Sequence, residues 1–168
     1  DLQRIDVKLG AQTLRQLQTL AGALDATVSS AVQAAWGVVL GRYVDTRDVV
    51  FGAVVSGRSP DVPDIERIAG LLINTGPVRV RYASADTFAT LVAQQQRQAL
   101  ASQPHHAARL ADIQNLSDLR AGVIRHLVVF ENYPVAQVGD GGTGLTARVV
   151  ETSEPTNYDL VVVVEPGD

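Results

Sequence analysis

The chain contains no cysteine and no methionine, and aromatic residues make up only 5% of it. Without cysteine there is no disulfide framework, no thiolate nucleophile and no cysteine-ligated metal, a pattern that fits a reducing cytoplasm. Charge is scarce as well: 14 basic and 18 acidic residues leave a formal net charge of -4. The basic residues form no stripe of the kind that phosphate backbones or anionic headgroups require, so neither nucleic acid nor membrane is an expected partner. No apolar run approaches the roughly 20 residues that cross a bilayer, and the amino end carries no basic stretch followed by a hydrophobic one. What remains is a chain of 168 residues, 46% hydrophobic and 19% charged, able to bury a core as one compact domain or one large lobe. The start at Asp1 and the stop at Asp168, just after a valine run, suggest a piece of a longer protein.

Ile5, Val7 and Leu9 alternate with Asp6 and Lys8, so residues 2–9 read as a half-buried strand. Leu14, Leu17, Leu20 and Leu24 recur at helical spacing and predict an amphipathic helix from about residue 11 to Asp25. A second helix, with Thr27, Ser29 and Ser30 as candidate caps, runs from Ala31 through Trp36 to Val44 and is apolar on nearly every face. Val49–Val55 is a β-prone run of the kind covered on both faces. Ser56-Gly57-Arg58-Ser59-Pro60 is a turn by composition, residues 65–72 predict a short helical turn or two, and Ile73–Pro77 reads as irregular. A strand over residues 78–82, a helix over 87–103 opened by Asp86-Thr87, a short helix near 110–116 and strands over 126–132, 145–151 and 157–165 follow. The result is an α/β chain, a mixed β-sheet covered by helices. The glycine-rich 139–144 segment reads as a mobile loop, within a 130–150 stretch that loses clear alternation.

Four motifs invite a chemical reading. His105-His106 has the residue type of a general base, but the pair sits just past a helix end beside Pro104, where polar side chains serve as caps. No Asp or Glu falls at ligand spacing with the pair, and His126 lies far along the chain, so no metal site is predicted. Ser56 lies in Val-Ser-Gly-Arg rather than a hydrolase elbow, and the glycines at 139–144 precede a strand rather than a helix, so neither a serine nucleophile nor a phosphate cradle is indicated. Asn74-Thr75, between an apolar run and a Gly-Pro turn, either satisfies buried backbone groups or faces a cavity. Arg58 either pairs with an acid such as Asp61 or Glu66 or lines the same edge as Asn74.

Taken in order, Ala34-Ala35-Trp36, Asp48–Gly52 with Val55-Ser56-Gly57-Arg58, Gly70–Arg79, Phe130–Pro134 and Thr156–Leu160 resemble the condensation domains of nonribosomal peptide synthetases. The resemblance implies one lobe, the carboxy-terminal one, of a two-lobe chloramphenicol acetyltransferase-like fold, with residues 1–168 lacking the amino-terminal lobe and the last elements of the domain, and with an arm to the partner lobe expected within about Phe130–Val150. It implies amide-bond formation between carrier-bound aminoacyl and peptidyl thioesters, in a tunnel between the lobes. The family's catalytic His-His-x-x-x-Asp-Gly segment belongs to the other lobe. His105-His106 is not that segment, since Leu110 and Ala111 stand at its Asp and Gly positions; it resembles a later His-Gln segment, with Arg109 in place of the usual proline. No catalytic residue is therefore expected here, and the chain is expected to be inactive alone. Ser56, Gly57, Arg58, Asn74 and Thr75 are expected to lie near the tunnel or the lobe interface. No cofactor is expected to bind directly. Phosphopantetheine would arrive on peptidyl or acyl carrier proteins, which with the amino-terminal lobe and an adjacent adenylation domain are the implied partners. Two other readings stand beside this one: a silent docking platform for a carrier or tailoring enzyme, and a free-standing acyltransferase, from which the Ser-Gly-Arg segment points away.

Overall fold

The computed structural model describes residues 3–58, 62–131 and 156–166, with the backbone alone at residues 66, 120 and 121. The leucine-spaced segment forms α1 (Ala11–Ala23), and the apolar stretch after it forms α2 (Val28–Tyr43). Of the three candidate caps it is Thr27 that opens α2, its Oγ1 accepting the Ser30 amide at 3.1 Å. Next come strands β1 (Asp48–Val55) and β2 (Asn74–Arg81), then α3 (Phe88–Ser102), capped in the same manner by Thr87. A short α4 (Leu110–Asn115), then β3 (His126–Phe130) and β4 (Leu160–Val164), complete the described elements.

The strands form one mixed sheet in the order β2-β1-β3-β4, antiparallel between β1 and β2 and parallel across β1, β3 and β4. Because side chains alternate along a strand, Val49, Phe51, Val80 and Val128 share one face, and with Leu40 of α2 they form a core cluster. α2 descends onto this face at Gly37, where even a methyl group would lie 2.4 Å from the Val80 side chain. α1 and α3 flank α2 through a second cluster of Ala31, Ala34, Leu91 and Val92, against which Leu17, Leu20 and Leu24 pack. The small residues let helices and sheet approach closely, and the aliphatic ones fill the space between them. Among the described residues no single helix is long and apolar enough to cross a membrane.

Three differences from the sequence reading have physical causes or limits. Residues 3–10 form no strand, and Ile5, Val7 and Leu9 are 84%, 75% and 67% exposed; alternation yields a strand only where a neighbouring edge supplies hydrogen-bond partners, and none of the described strands pairs here. β2 starts at Asn74 rather than Val78 and takes in Gly76 and Pro77, which an edge strand tolerates because the missing proline N–H need not face a neighbour. Residues 65–72 hold one 3-10 turn, Ile65–Arg67, in keeping with the short helical turn or two expected there. The predicted strand 157–165 is confined to Leu160–Val164, while the 139–144 loop, the 145–151 strand and all but the start of the 130–150 arm lie outside the described residues.

Candidate functional site

β1 ends at Val55, and its antiparallel register with β2 pairs Val55 with Asn74 and Val54 with Thr75. The segment 56–58 that leaves β1 therefore lies beside the segment 72–75 that enters β2, so the two polar motifs converge at one end of the sheet. Gly57 makes the junction possible. It has a left-handed backbone (φ 62), and a Cβ there would sit 1.8 Å from the Leu72 carbonyl oxygen. Ser56 Oγ accepts the Arg58 amide at 3.4 Å, and the Arg58 guanidinium donates to the carbonyls of Ile65 and Ile68, tying residues 65–68 to the strand end. Asp61 and the Glu66 side chain, the acids considered for Arg58, lie outside the described residues.

Strand alternation sends Asn74 and Thr75 to opposite faces. Thr75 shares the face of Gly52, where a Cβ would meet the Thr75 methyl at 3.0 Å, Ile124 at 2.8 Å and Leu127 at 3.1 Å. Asn74 lies on the helix-covered face, and its Nδ2 donates to the carbonyls of His106 at 2.8 Å and Ala108 at 2.7 Å. Its Oδ1 accepts the Thr75 amide at 2.9 Å. One turn past α3, His106 Nε2 meets Ser102 Oγ at 3.2 Å, and Ser102 Oγ also donates to the Ala99 carbonyl at 2.8 Å. Burial holds the His106 imidazole below its usual pKa range, favouring the neutral ring. His106 thus sits in a structural joint, to which His105 contributes its carbonyl, accepting the Ala108 amide at 2.9 Å.

The remaining polar features lie elsewhere. Arg79 grips Asp48 through two hydrogen bonds, 2.7 and 2.6 Å, where β1 begins, and these bonds hold the Asp48 carboxyl below its ordinary range. A cavity of about 790 Å³ lined by Gly41, Arg42, Arg47, Tyr82 and Asp86 occupies that same end of the sheet. Eight strand residues separate it from Ser56, which at about 3.3 Å per residue is roughly 26 Å. Its lining mixes both charge signs, and none of the five candidate site residues contributes to it. The candidate residues Ser56, Gly57, Arg58, Asn74 and Thr75 all lie at the opposite end, where the two polar motifs meet. Among the described residues no three His, Asp or Glu side chains are grouped to hold a metal ion. Sequence reasoning missed the Asn74 bonds to residues 106 and 108. The partners lie 32 and 34 residues away, and no local pattern announces such a pairing.

Comparison with known proteins gives a consistent picture. The family model described as Condensation domain matches residues 1–168. Tyrocidine synthase 2 of Brevibacillus parabrevis is 42% identical over 159 residues, covering 92% of this chain and 4% of that protein. Bacitracin synthase 3 of Bacillus licheniformis is 36% identical over 167 residues, covering 96% of the chain and 3% of the relative. The chain therefore spans only a small part of the curated relatives it matches. Among solved structures, the first condensation domain of the CDA synthetase superposes with a TM-score of 0.58 at 27% identity, over 70% of this chain and 27% of that one. A four-domain nonribosomal peptide synthetase bound to AMP and glycine shares the fold, with a TM-score of 0.64 at 19% identity over 74% of this chain and 10% of its own.

Proposed function

Because this chain belongs to the condensation-domain family, we propose that it is the carboxy-terminal lobe of a domain that joins carrier-bound aminoacyl and peptidyl thioesters through an amide bond. The observation that carries the reading is the convergence of Ser56-Gly57-Arg58 with Asn74-Thr75 at one end of the sheet. These are the segments that the family resemblance sets along the tunnel and the lobe interface. In this reading the lobe supplies one wall. It holds the acceptor amine near the donor thioester, which replaces a bimolecular encounter by a positioned one, and it keeps water from the thioester. The proton on the attacking amine is removed by a base on the other lobe. Phosphopantetheine enters on carrier proteins, and an adenylation domain adjoins the chain. The test is to incubate the chain alone, and separately the complete synthetase polypeptide, with donor- and acceptor-loaded carrier proteins. Amide product is expected only from the complete polypeptide; product from the chain alone overturns the lobe reading. Carrier binding without any product from the complete polypeptide would favour a silent docking platform.

A further inference from the structure

We infer that Asn74 is a positioning residue: it acts on the reaction through the Gln103–Arg109 segment, whose backbone it pins to the start of β2, and makes no bond to substrate. The inference rests on the proposed condensation function and concerns how the wall of that site is held. An asparagine amide has two hydrogens to donate, and Asn74 spends both, on His106 O at 2.8 Å and Ala108 O at 2.7 Å. Its oxygen takes the Thr75 amide at 2.9 Å. The reversed amide would set an oxygen against two carbonyls and an NH2 against an N–H, so the surroundings admit one orientation. No hydrogen remains to stabilise charge on a thioester oxygen, the role otherwise open to a polar residue at this edge.

What Asn74 holds is the exit of α3. The chain leaves Ser102 through a 3-10 turn, Gln103–His105, tied back by Gln103 N to Leu100 O, His106 N to Gln103 O at 3.2 Å and Ala108 N to His105 O at 2.9 Å. A single short turn at a helix exit frays readily unless something clamps it. Two side-chain contacts do so here: Ser102 Oγ on the His106 ring, and Asn74 on the carbonyls of His106 and Ala108. Because Asn74 pairs with Val55, next to Ser56 and Gly57, the α3 exit and the Ser-Gly-Arg segment are fixed to one strand end. A shift of about 1 Å in such a wall can cost roughly a hundredfold in rate.

The experiment compares Asn74→Ala and Asn74→Asp in the complete synthetase polypeptide. Aspartate keeps the shape but faces two carbonyl oxygens with an oxygen, so it should be worse than alanine. Amide exchange at His106 and Ala108 should speed up about tenfold or more in Asn74→Ala and further in Asn74→Asp, while Val128 of the buried β3 strand is unchanged. Turnover should fall in the same order, roughly ten- to a hundredfold, with KM for the loaded carriers unaltered. Asn74→Asp working as well as wild type would overturn the inference, since a residue accepting a bond from the substrate amine tolerates that change. So would unchanged exchange at His106 and Ala108. Equal acceleration at Val128, or a variant that does not fold, would make Asn74 a general stability residue and overturn it too. A wild-type polypeptide that forms no amide refutes the proposed function instead, and the exchange comparison still decides whether the pin exists.

Discussion

At residue 57 a hydrogen is all that fits on the Cα, because the Leu72 carbonyl fills the space where a methyl would go and the backbone is left-handed. Gly57→Ala should destabilise the fold by about 2–4 kcal/mol, combining the left-handed penalty with the steric clash. A urea melt checks it, and an unchanged midpoint would mean that the two segments do not meet as described. Two titrating residues give pH predictions of opposite origin. Asp48 has its carboxyl held below 3.8 by the Arg79 hydrogen bonds. Its stabilising contribution is full above the unfolded value and disappears as pH falls through the folded one. Asp48→Asn should therefore lower stability at neutral pH, and the gap to wild type should begin to narrow only as pH falls below the ordinary carboxylate value and close beneath the depressed folded value. His106 has its pKa lowered from 6.5 by burial, so the folded state binds its proton less readily than the unfolded state. It contributes nothing above pH 6.5 and costs stability as pH drops below that value, a slope that His106→Gln should flatten. Denaturation series from pH 3 to 8 read both slopes, and parallel curves for variant and wild type would contradict either assignment.

Among the elements, the helix ends carry an unusual choice. α1 and α2 are each followed by an aspartate in left-handed conformation, Asp25 with φ 50 and Asp45 with φ 52, where glycine is the common solution. The turns close normally, with Ala26 N on Ala21 O and Thr46 N on Gly41 O, both 2.8 Å. Each aspartate also adds negative charge at the negative end of a helix dipole. Asp45→Gly should raise stability by about 0.5–1.5 kcal/mol, and Asp45→Asn should recover only the charge part. Thermal melts that rank asparagine above glycine would show that backbone conformation contributes little. The opposite trade holds inside α2. Gly37→Ala improves helix propensity by about 1 kcal/mol yet forces a methyl into Val80, and overpacking costs about 1–3 kcal/mol, so net destabilisation is expected.

Over the whole molecule, apolar side chains remain uncovered in several places. Ile5 and Tyr43 are 84% and 88% exposed, Leu71 and Leu116 are 87% and 91% exposed, and β4 has no described neighbour on one edge. Surface of this kind binds hydrophobic probes or other chains. The isolated 168-residue chain is expected to enhance the fluorescence of a hydrophobic dye and to self-associate with rising concentration, and the complete synthetase polypeptide to do so far less per domain. A monodisperse chain that ignores the dye would indicate that these side chains are covered in solution.

The sequence by itself determined the elements whose signals are local. Leucine spacing made α1, the Thr27 and Thr87 hydroxyls opened α2 and α3, and the valine-rich runs made β1 and β4. It also carried the ordered motifs by which the family is recognised, since those residues stand in a row along the chain. Only the tertiary structure decided which elements pair and what the polar motifs do. Alternation at residues 3–10 could not create a strand without a neighbouring edge, and Gly76-Pro77 could join a strand because β2 lies at the edge of the sheet. Sequence reasoning left Asn74 open between satisfying backbone groups and facing a cavity, and Arg58 open between an ion pair and the site edge. The fold brought the carbonyls of His106, Ala108, Ile65 and Ile68 to them, groups that every residue carries and that no side-chain pattern can announce.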